Sequence, residues 1–176
     1  MTAVEWAGQW WHPQELAPGA AAAVARLASS DQQEVLPAAA EVLAAAGLDV
    51  GLVVDAATAM GGDADADADL DLLDLVAGVL RTGSARPWRS TVGLCRITVT
   101  QWSTIRGRLI DKGVPDPLRQ LPSLTALLDV VEVMLLDSME KQEDRDRFLA
   151  DLYRRDDSTL GPPPGWEDGA QLDGLF

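Results

Sequence analysis

The sequence has almost none of the residues that build disulfides and zinc centres. Its 176 residues include one cysteine, Cys95, and one histidine, His12. A lone cysteine forms no internal disulfide, and this pair cannot supply the four ligands of a structural zinc site. We therefore expect a protein of a reducing compartment, with no metal centre.

Phenylalanine and tyrosine are also scarce, with two residues and one residue respectively. Alanine and leucine, which are strong helix formers, supply much of the 47% hydrophobic content, whereas β-branched runs are short. The composition predicts an all-α fold. We expect an irregular helical bundle with an Ala-rich N-terminal helical part and a C-terminal helical core.

Long apolar runs are missing, because Asp, Glu or Arg interrupts each candidate before the roughly 18–20 residues that a membrane span needs. The stretch from Met1 to Trp11 has no basic segment followed by an apolar core, so neither a signal peptide nor a transit sequence is expected. These features predict a cytoplasmic protein without membrane contact.

Catalytic motifs are absent as well. The chain has no Walker-type glycine loop, dinucleotide fingerprint or paired-histidine helix. His12 lies between Trp11 and Pro13, with no nucleophile pattern to pair with it. Cys95 falls on a predicted apolar stripe, where a free cysteine usually acts as a small buried hydrophobe. We expect no enzyme and no cofactor.

An Asp-Ala alternation invites a calcium interpretation, because Asp63, Asp65 and Asp67 have the spacing of the first three EF-hand ligands. The sixth position would be Ala68, where a glycine must make the turn, and the twelfth would be Asp74 in place of a bidentate glutamate. A solvated acidic linker is therefore the favoured interpretation.

The net charge of −14 is unevenly distributed. Residues 1–80 hold 1 basic and 13 acidic side chains, residues 81–119 hold 8 and 2, and residues 120–176 hold 5 and 13. The basic middle can pair with the acidic ends of the same chain or face an acidic partner. Internal pairing is the simpler of these interpretations.

Composition and breaker residues divide the chain into four predicted regions. These are an Ala-rich helical N-terminal region (1–60), an acidic Gly/Asp/Ala linker (61–69), a C-terminal helical domain (70–155) and a Pro-rich flexible tail (156–176).

The N-terminal region is predicted to begin with an irregular aromatic arm that ends near Gly19. Helices are expected at Ala20–Ala28 and at Pro37–Ala46, with Pro37 in the first turn and Gly47 as the terminator. The stretch Leu48–Met60 fits a strand or a helix, and its alanines favour the helix.

Beyond the linker, one long helix is expected from Pro87 to Lys112, after a shorter one that Gly83 ends. Apolar residues recur along it at steps of three, four and seven: Trp88, Val92, Cys95, Val99, Trp102 and Leu109. Four arginines lie off this stripe and would form a cationic face: Arg89, Arg96, Arg106 and Arg108. Two further helices are predicted, one after Pro122-Ser123 and one around Phe148–Leu152.

Several strings between residues 86 and 155 resemble tail assembly chaperones of long-tailed phages that infect actinobacteria. The strings are Arg86–Arg89, Cys95–Trp102, Ile105–Leu109, Gly113–Leu118, Leu121–Leu128 and Arg147–Tyr153. The span of residues 86–155 that contains them is about two fifths of the chain, and none of the strings is a catalytic signature.

The resemblance implies a non-virion protein of the host cytoplasm that binds the tape measure protein. Such a chaperone keeps that long chain soluble while tail tube subunits polymerise around it. Further partners implied are the tail tube protein, a longer frameshifted form of the same chain and additional copies of itself. On this hypothesis Arg89, Arg96, Arg106 and Arg108 contact the partner.

Two other classes fit the same sequence. One is a structural or adaptor protein of the phage particle, such as a head-to-tail component. The other is a small RNA-binding regulator, since Trp88 and Trp102 accompany the arginines. Both tryptophans fall on the expected core stripe, and the net charge is −14, so we expect no nucleic-acid partner.

Overall fold

The fold is that of a computed structural model, which describes residues 3–60, 67–84 and 86–154. Helices account for most of these residues, and the only strands among them form one short antiparallel pair. The predicted all-α class is therefore confirmed. The elements in chain order are β1 (Val4–Trp6), β2 (Gln9–Trp11), a 3-10 turn (Pro18–Ala20), α1 (Ala21–Arg26), α2 (Gln32–Ala45), α3 (Val50–Met60), α4 (Asp67–Ser84), α5 (Trp88–Thr100), α6 (Trp102–Asp111), α7 (Pro117–Gln120), α8 (Leu124–Ser138) and α9 (Gln142–Leu152).

The expected irregular arm is a β-hairpin, so that prediction was wrong. Ala7 and Gly8 both have positive φ, of 56° and 67°, as a two-residue hairpin turn requires. Trp6 and Trp11 lie on the inner side with ring centroids 6.0 Å apart, and the Trp11 indole N–H donates to the Trp6 carbonyl at 3.1 Å. The alternation that buries these two rings leaves Trp10 exposed on the other side.

The predicted helix at Ala20–Ala28 is confirmed as α1, but α2 starts five residues before the expected Pro37. The Asp31 carboxylate caps it by accepting a hydrogen bond from the Gln33 N–H at 2.9 Å. This cap outweighs Pro37, whose missing N–H removes only one helical hydrogen bond near the start. Gly47 ends α2 as predicted, with φ of 75°.

The helix favoured for Leu48–Met60 is confirmed as α3. The first six residues of the expected linker, 61–66, lie outside the described part of the chain. Its last three residues belong to the start of α4, which therefore begins earlier than the sequence indicated. The predicted tail also lies outside the described residues.

The long helix expected from Pro87 to Lys112 is two helices, so that prediction was wrong. Gln101 has φ −104° and ψ 20°, which ends α5, and its carbonyl accepts the first N–H groups of α6. The buried side of α5 is also turned away from the predicted stripe: Val99 is 45% exposed, whereas Thr91 and Thr98 are buried. Thr98 satisfies its hydroxyl on the Leu94 carbonyl at 2.7 Å.

Helix α5 is the centre of the molecule. The small residues of α1 pack closely on it, and α4, α8 and α9 also contact it. One apolar cluster joins both halves of the chain and includes Val24, Leu43, Val53, Leu75, Leu80, Leu94, Cys95, Leu109, Leu127 and Leu128. This packing leaves the outward sides of α5 and α6 uncovered by other described elements.

Candidate interaction surface

The four predicted arginines do not form one patch. The Arg89 guanidinium is half-buried and lies 5.5 Å from the centroid of the Trp88 ring. Arg96, Arg106 and Arg108 are exposed. Two residues along a helix turn the side chain by about 200°, so Arg106 and Arg108 point to opposite sides of α6.

Arg96, Arg106 and Arg108 have no carboxylate within ion-pair distance among the described residues. Pairing within the chain was the simpler expectation for its basic middle. Among the described residues, such pairing does not account for these three charges. Their guanidinium groups remain hydrated and open to an incoming anionic group.

Apolar side chains accompany two of these arginines on the outward surface. Val99, 45% exposed, follows Arg96 by one turn of α5. Ile110, 44% exposed, follows Arg106 by one turn of α6, and exposed Ser103 precedes Arg106 by one turn. We call these residues (Arg96, Val99, Ser103, Arg106 and Ile110) the cationic face.

Gly107 also lies on the exposed part of α6, and no atom lies within 4 Å of where its Cβ would be. The backbone of α6 is therefore accessible beside Arg106. A partner segment can approach the helix closely at this point, because no side chain intervenes.

Arg108 faces a different environment, a shallow cleft between α6 and α8. Arg108, Asp111 and Lys112 line one side, and Met134 and Asp137 line the other. Both signs of charge are present here, so the cleft is less selective than the cationic face for an acidic ligand.

Sequence reasoning missed the main buried polar cluster, which is built around Arg86. Its side chain is 9% exposed and donates to the Glu132 carboxylate at 2.9 Å and to the Tyr153 hydroxyl at 3.3 Å. It also pairs with Asp129, and Tyr153 donates to Glu132 at 2.9 Å. We call these four residues the Arg86 clasp, which ties the α4–α5 junction to α8 and to the end of α9.

The Arg86 clasp shifts two pKa values. Burial by itself would lower the pKa of Arg86, but the hydrogen bonds to Asp129, Glu132 and Tyr153 outweigh it and raise that pKa. Partial burial raises the pKa of Tyr153, and the hydrogen bond to Glu132 acts in the same direction, against the effect of Arg86. Both pKa values are raised, so Arg86 and Tyr153 are protonated at neutral pH. These are the forms that donate the hydrogen bonds of the clasp.

The remaining single residues have simple environments. Cys95 is fully buried, and burial raises the pKa of its thiol. Its position fits the expected small hydrophobe, because a buried neutral thiol is a poor nucleophile. His12 is exposed beside the hairpin.

The calcium interpretation of the acidic run rests partly on residues outside the described chain, since Asp63 and Asp65 fall there. Asp67 and Asp74 belong to α4. Among the described residues, no three His, Cys, Asp or Glu side chains are grouped closely enough to hold a metal ion. Nor does any helix described here combine the length and apolar character needed to cross a bilayer.

Fold and surface together define an all-α protein in which α5 and α6 carry a cationic face that no carboxylate of the described residues pairs with. In a comparison with known families, residues 97–175 match the model of DUF7240, a family of unknown function. The matched stretch runs from the end of α5 through α9 into the C-terminal segment (residues 155–176) and contains most of the cationic face. No curated protein and no solved structure matches the chain.

Proposed function

We propose that this chain is a tail assembly chaperone of the kind made by long-tailed actinobacteriophages, and that it binds the tape measure protein in the host cytoplasm. The observation that carries the proposal is the resemblance of the strings between residues 86 and 155. Those strings include Arg96, Val99 and Arg106, which are three of the five residues of the cationic face.

The chemistry of the surface supports a binding role. A helical partner with an apolar stripe can lay that stripe along Val99 and Ile110, while its acidic residues pair with Arg96 and Arg106. Exposed apolar side chains next to unpaired cations are typical of an interface, where charge selects the partner and apolar contact supplies affinity.

The charge of the whole chain supports the solubilising part of the role. A net charge of −14 makes copies of the protein, and complexes that contain it, repel one another. An aggregation-prone chain covered by such a protein would remain dispersed.

Co-expression with the tape measure protein encoded nearby tests the proposal. We expect the soluble yield of the tape measure protein to rise and the two proteins to co-purify. The double variant Arg96→Glu/Arg106→Glu should lose most of this effect while its helical circular dichroism stays unchanged. Arg119→Glu on α7, whose side chain is 87% exposed, is the matched control and should behave as the wild type.

Unchanged solubility, together with no co-purification, would sink the chaperone proposal. The composition of purified virions is a second test, because a chaperone should be abundant in infected cells and missing from the finished particle. Detection of the chain in virions at a fixed copy number would favour the structural or adaptor class instead.

A further inference from the structure

Gly107 lies at the centre of an open hollow on α6. When two helices pack, a side chain of one inserts into a hole formed by four residues of the other, at positions i, i+3, i+4 and i+7. On α6 these positions are Ser103, Arg106, Gly107 and Ile110, and all four residues are exposed. We propose that this Gly107 hollow receives one large apolar side chain, such as leucine, from an acidic helix of a partner protein.

The floor of the hollow is lower than the helix surface around it. Gly107 has no side chain, and no atom lies within 4 Å of the place where its Cβ would be. Ser103, one turn earlier on the same side, carries only a hydroxymethyl group. An inserted side chain can therefore lie against the backbone of α6, which longer side chains at these two positions would prevent.

A filled hollow of the same kind occurs elsewhere in this fold. A Cβ placed on Gly78 of α4 would lie 2.6 Å from Cγ1 of Val4, so the hairpin valine occupies the space that the glycine leaves. A helical glycine of this protein thus accommodates an apolar side chain from another element. Gly107 has no such occupant among the described residues.

The rim of the hollow combines an apolar and a cationic side chain. Ile110 is 44% exposed and offers its methyl groups to an inserted side chain. Arg106 has no carboxylate within ion-pair distance among the described residues, so its guanidinium can pair with a carboxylate one turn from the inserted side chain. Gly93 of α5 is also open, but Val92 beside it is buried, and the same combination is missing there.

Arg96 and Val99 extend the contact along α5. Arg96 is exposed and Val99 is 45% exposed, so they repeat the combination of a cation and an apolar side chain. Ten residues separate Arg96 from Arg106, which corresponds to about 15 Å of helix. An acidic helix of three turns reaches both arginines. A second copy of this chain fits less well, because each copy carries a net charge of −14.

The hollow belongs to the surface of the proposed function, and its role as a recognition pocket rests on that proposal. It adds a requirement that the charges alone do not impose. A partner segment should bind only where a large apolar residue and a carboxylate lie one turn apart on the same side of a helix.

Binding of model peptides to the full-length protein tests the hollow without the tape measure protein. The probe is a fluorescein-labelled peptide of about 20 residues, long enough to form a helix. It is built from alanine and glutamine, with one leucine and with glutamates one turn before and after it. Two related peptides replace the leucine by alanine or the glutamates by lysine.

Fluorescence anisotropy should show that the glutamate–leucine peptide binds most tightly. Replacing its leucine by alanine should weaken binding by about tenfold or more, because three carbons no longer enter the hollow. This comparison uses only the wild-type protein, so it does not depend on the folding of any variant.

Variants of the protein locate the binding site. Gly107→Leu fills the hollow from its own helix and should also weaken binding by about tenfold or more. Ala44→Leu adds the same side chain at an exposed position of α2 and, as the matched control, should bind like the wild type. Arg106→Glu should reverse the preference between the glutamate and lysine peptides. Circular dichroism should show the same helical content in all three variants.

Three results would overturn the proposal. The first is equal binding of the leucine and alanine peptides, and the second is unchanged binding by Gly107→Leu. The third is the absence of binding up to about 1 mM peptide.

Analytical ultracentrifugation of the protein alone tests the other occupant. Self-association that Gly107→Leu abolishes would mean that a second copy fills the hollow, and it would overturn the assignment to a partner helix. Peptide binding needs no tape measure protein, and the co-expression experiment needs no model peptide. Failure of the hollow and failure of the chaperone proposal are therefore distinguishable.

Discussion

Two glycines associated with α6 have opposite requirements at the residue scale. Gly113 has φ of 88° just after the helix, where its N–H donates to the Ile110 carbonyl at 2.9 Å. An L-residue in this conformation costs about 1–2 kcal/mol. Gly107 lies inside the helix with open space around it, so an added methyl group only improves helix propensity.

We therefore expect Gly113→Ala to lower the free energy of unfolding by about 1 kcal/mol and Gly107→Ala to raise it by up to about 1 kcal/mol. Urea titration followed by circular dichroism measures both changes. Shifts of the same sign in the two variants would contradict the account of the α6 terminus.

Tyr153 predicts how stability depends on alkaline pH. Its pKa is raised in the folded chain above the ordinary value of 10.0, so folding favours the protonated phenol. The corresponding stabilisation is fully present below about pH 10 and is lost as pH rises through the folded pKa. Tyr153→Phe removes the titrating group, and its stability should fall less than that of the wild type between neutral and strongly alkaline pH. Parallel pH profiles for the two proteins would refute this.

At the scale of elements, contact between the hairpin and α4 depends on one glycine. A Cβ placed on Gly78 would lie 2.6 Å from Cγ1 of Val4, closer than van der Waals contact allows. Gly78→Ala should therefore displace β1, although alanine favours the helix. The expected readout is a changed near-ultraviolet circular dichroism signal from the Trp6–Trp11 pair.

A second substitution in the hairpin distinguishes this clash from a general effect on α4. Val4→Ala removes the methyl groups that the new Cβ meets, so Gly78→Ala should be less harmful, or even stabilising, in that background. Additive effects of the two substitutions would show that the residues do not interact.

The Arg86 clasp joins three elements, and its removal should cost far more than the loss of a surface ion pair. Arg86→Met leaves Glu132, which is 12% exposed, without its cation, and we expect a loss of about 3 kcal/mol. Adding Glu132→Met should recover part of that loss, because the uncompensated charge is gone. Arg154→Met, which breaks the exposed pair with Asp151, is the control and should change stability by less than about 0.5 kcal/mol. Chemical denaturation of the four proteins measures these differences, and a loss of similar size in the control would refute the clasp's role.

The elements also show what the sequence could and could not predict. Helices bounded by strong local signals were found, such as α8 after Ser123 and α2 before Gly47. The hairpin was missed because Ala7 at positive φ is an unusual turn residue, held there by the burial of the two tryptophans. The break at Gln101 carries no Pro or Gly signal, so no local pattern of the sequence marks it.

The candidate surface was predicted in part. Arg96 and Arg106 lie on the cationic face, but the expected heptad could not show that Arg108 faces the α6–α8 cleft or that Arg89 packs on Trp88. The Arg86 clasp joins residues 46 and 67 positions apart. Only the packing of α8 and α9 against the junction before α5 brings them together, and no local pattern encodes that.

For the whole molecule, the net charge of −14 predicts that salt stabilises the fold. Few of the acidic side chains are paired among the described residues, so the compact chain carries more repulsion than the expanded one. Raising the ionic strength from about 0.01 M to about 0.15 M shortens the Debye length from about 30 Å to about 8 Å and screens that repulsion. The midpoint of thermal unfolding should rise by a few degrees, on the order of 2–4 °C per kcal/mol regained. A fall in the midpoint would mean that attractive pairs, such as those of the Arg86 clasp, outweigh the repulsion.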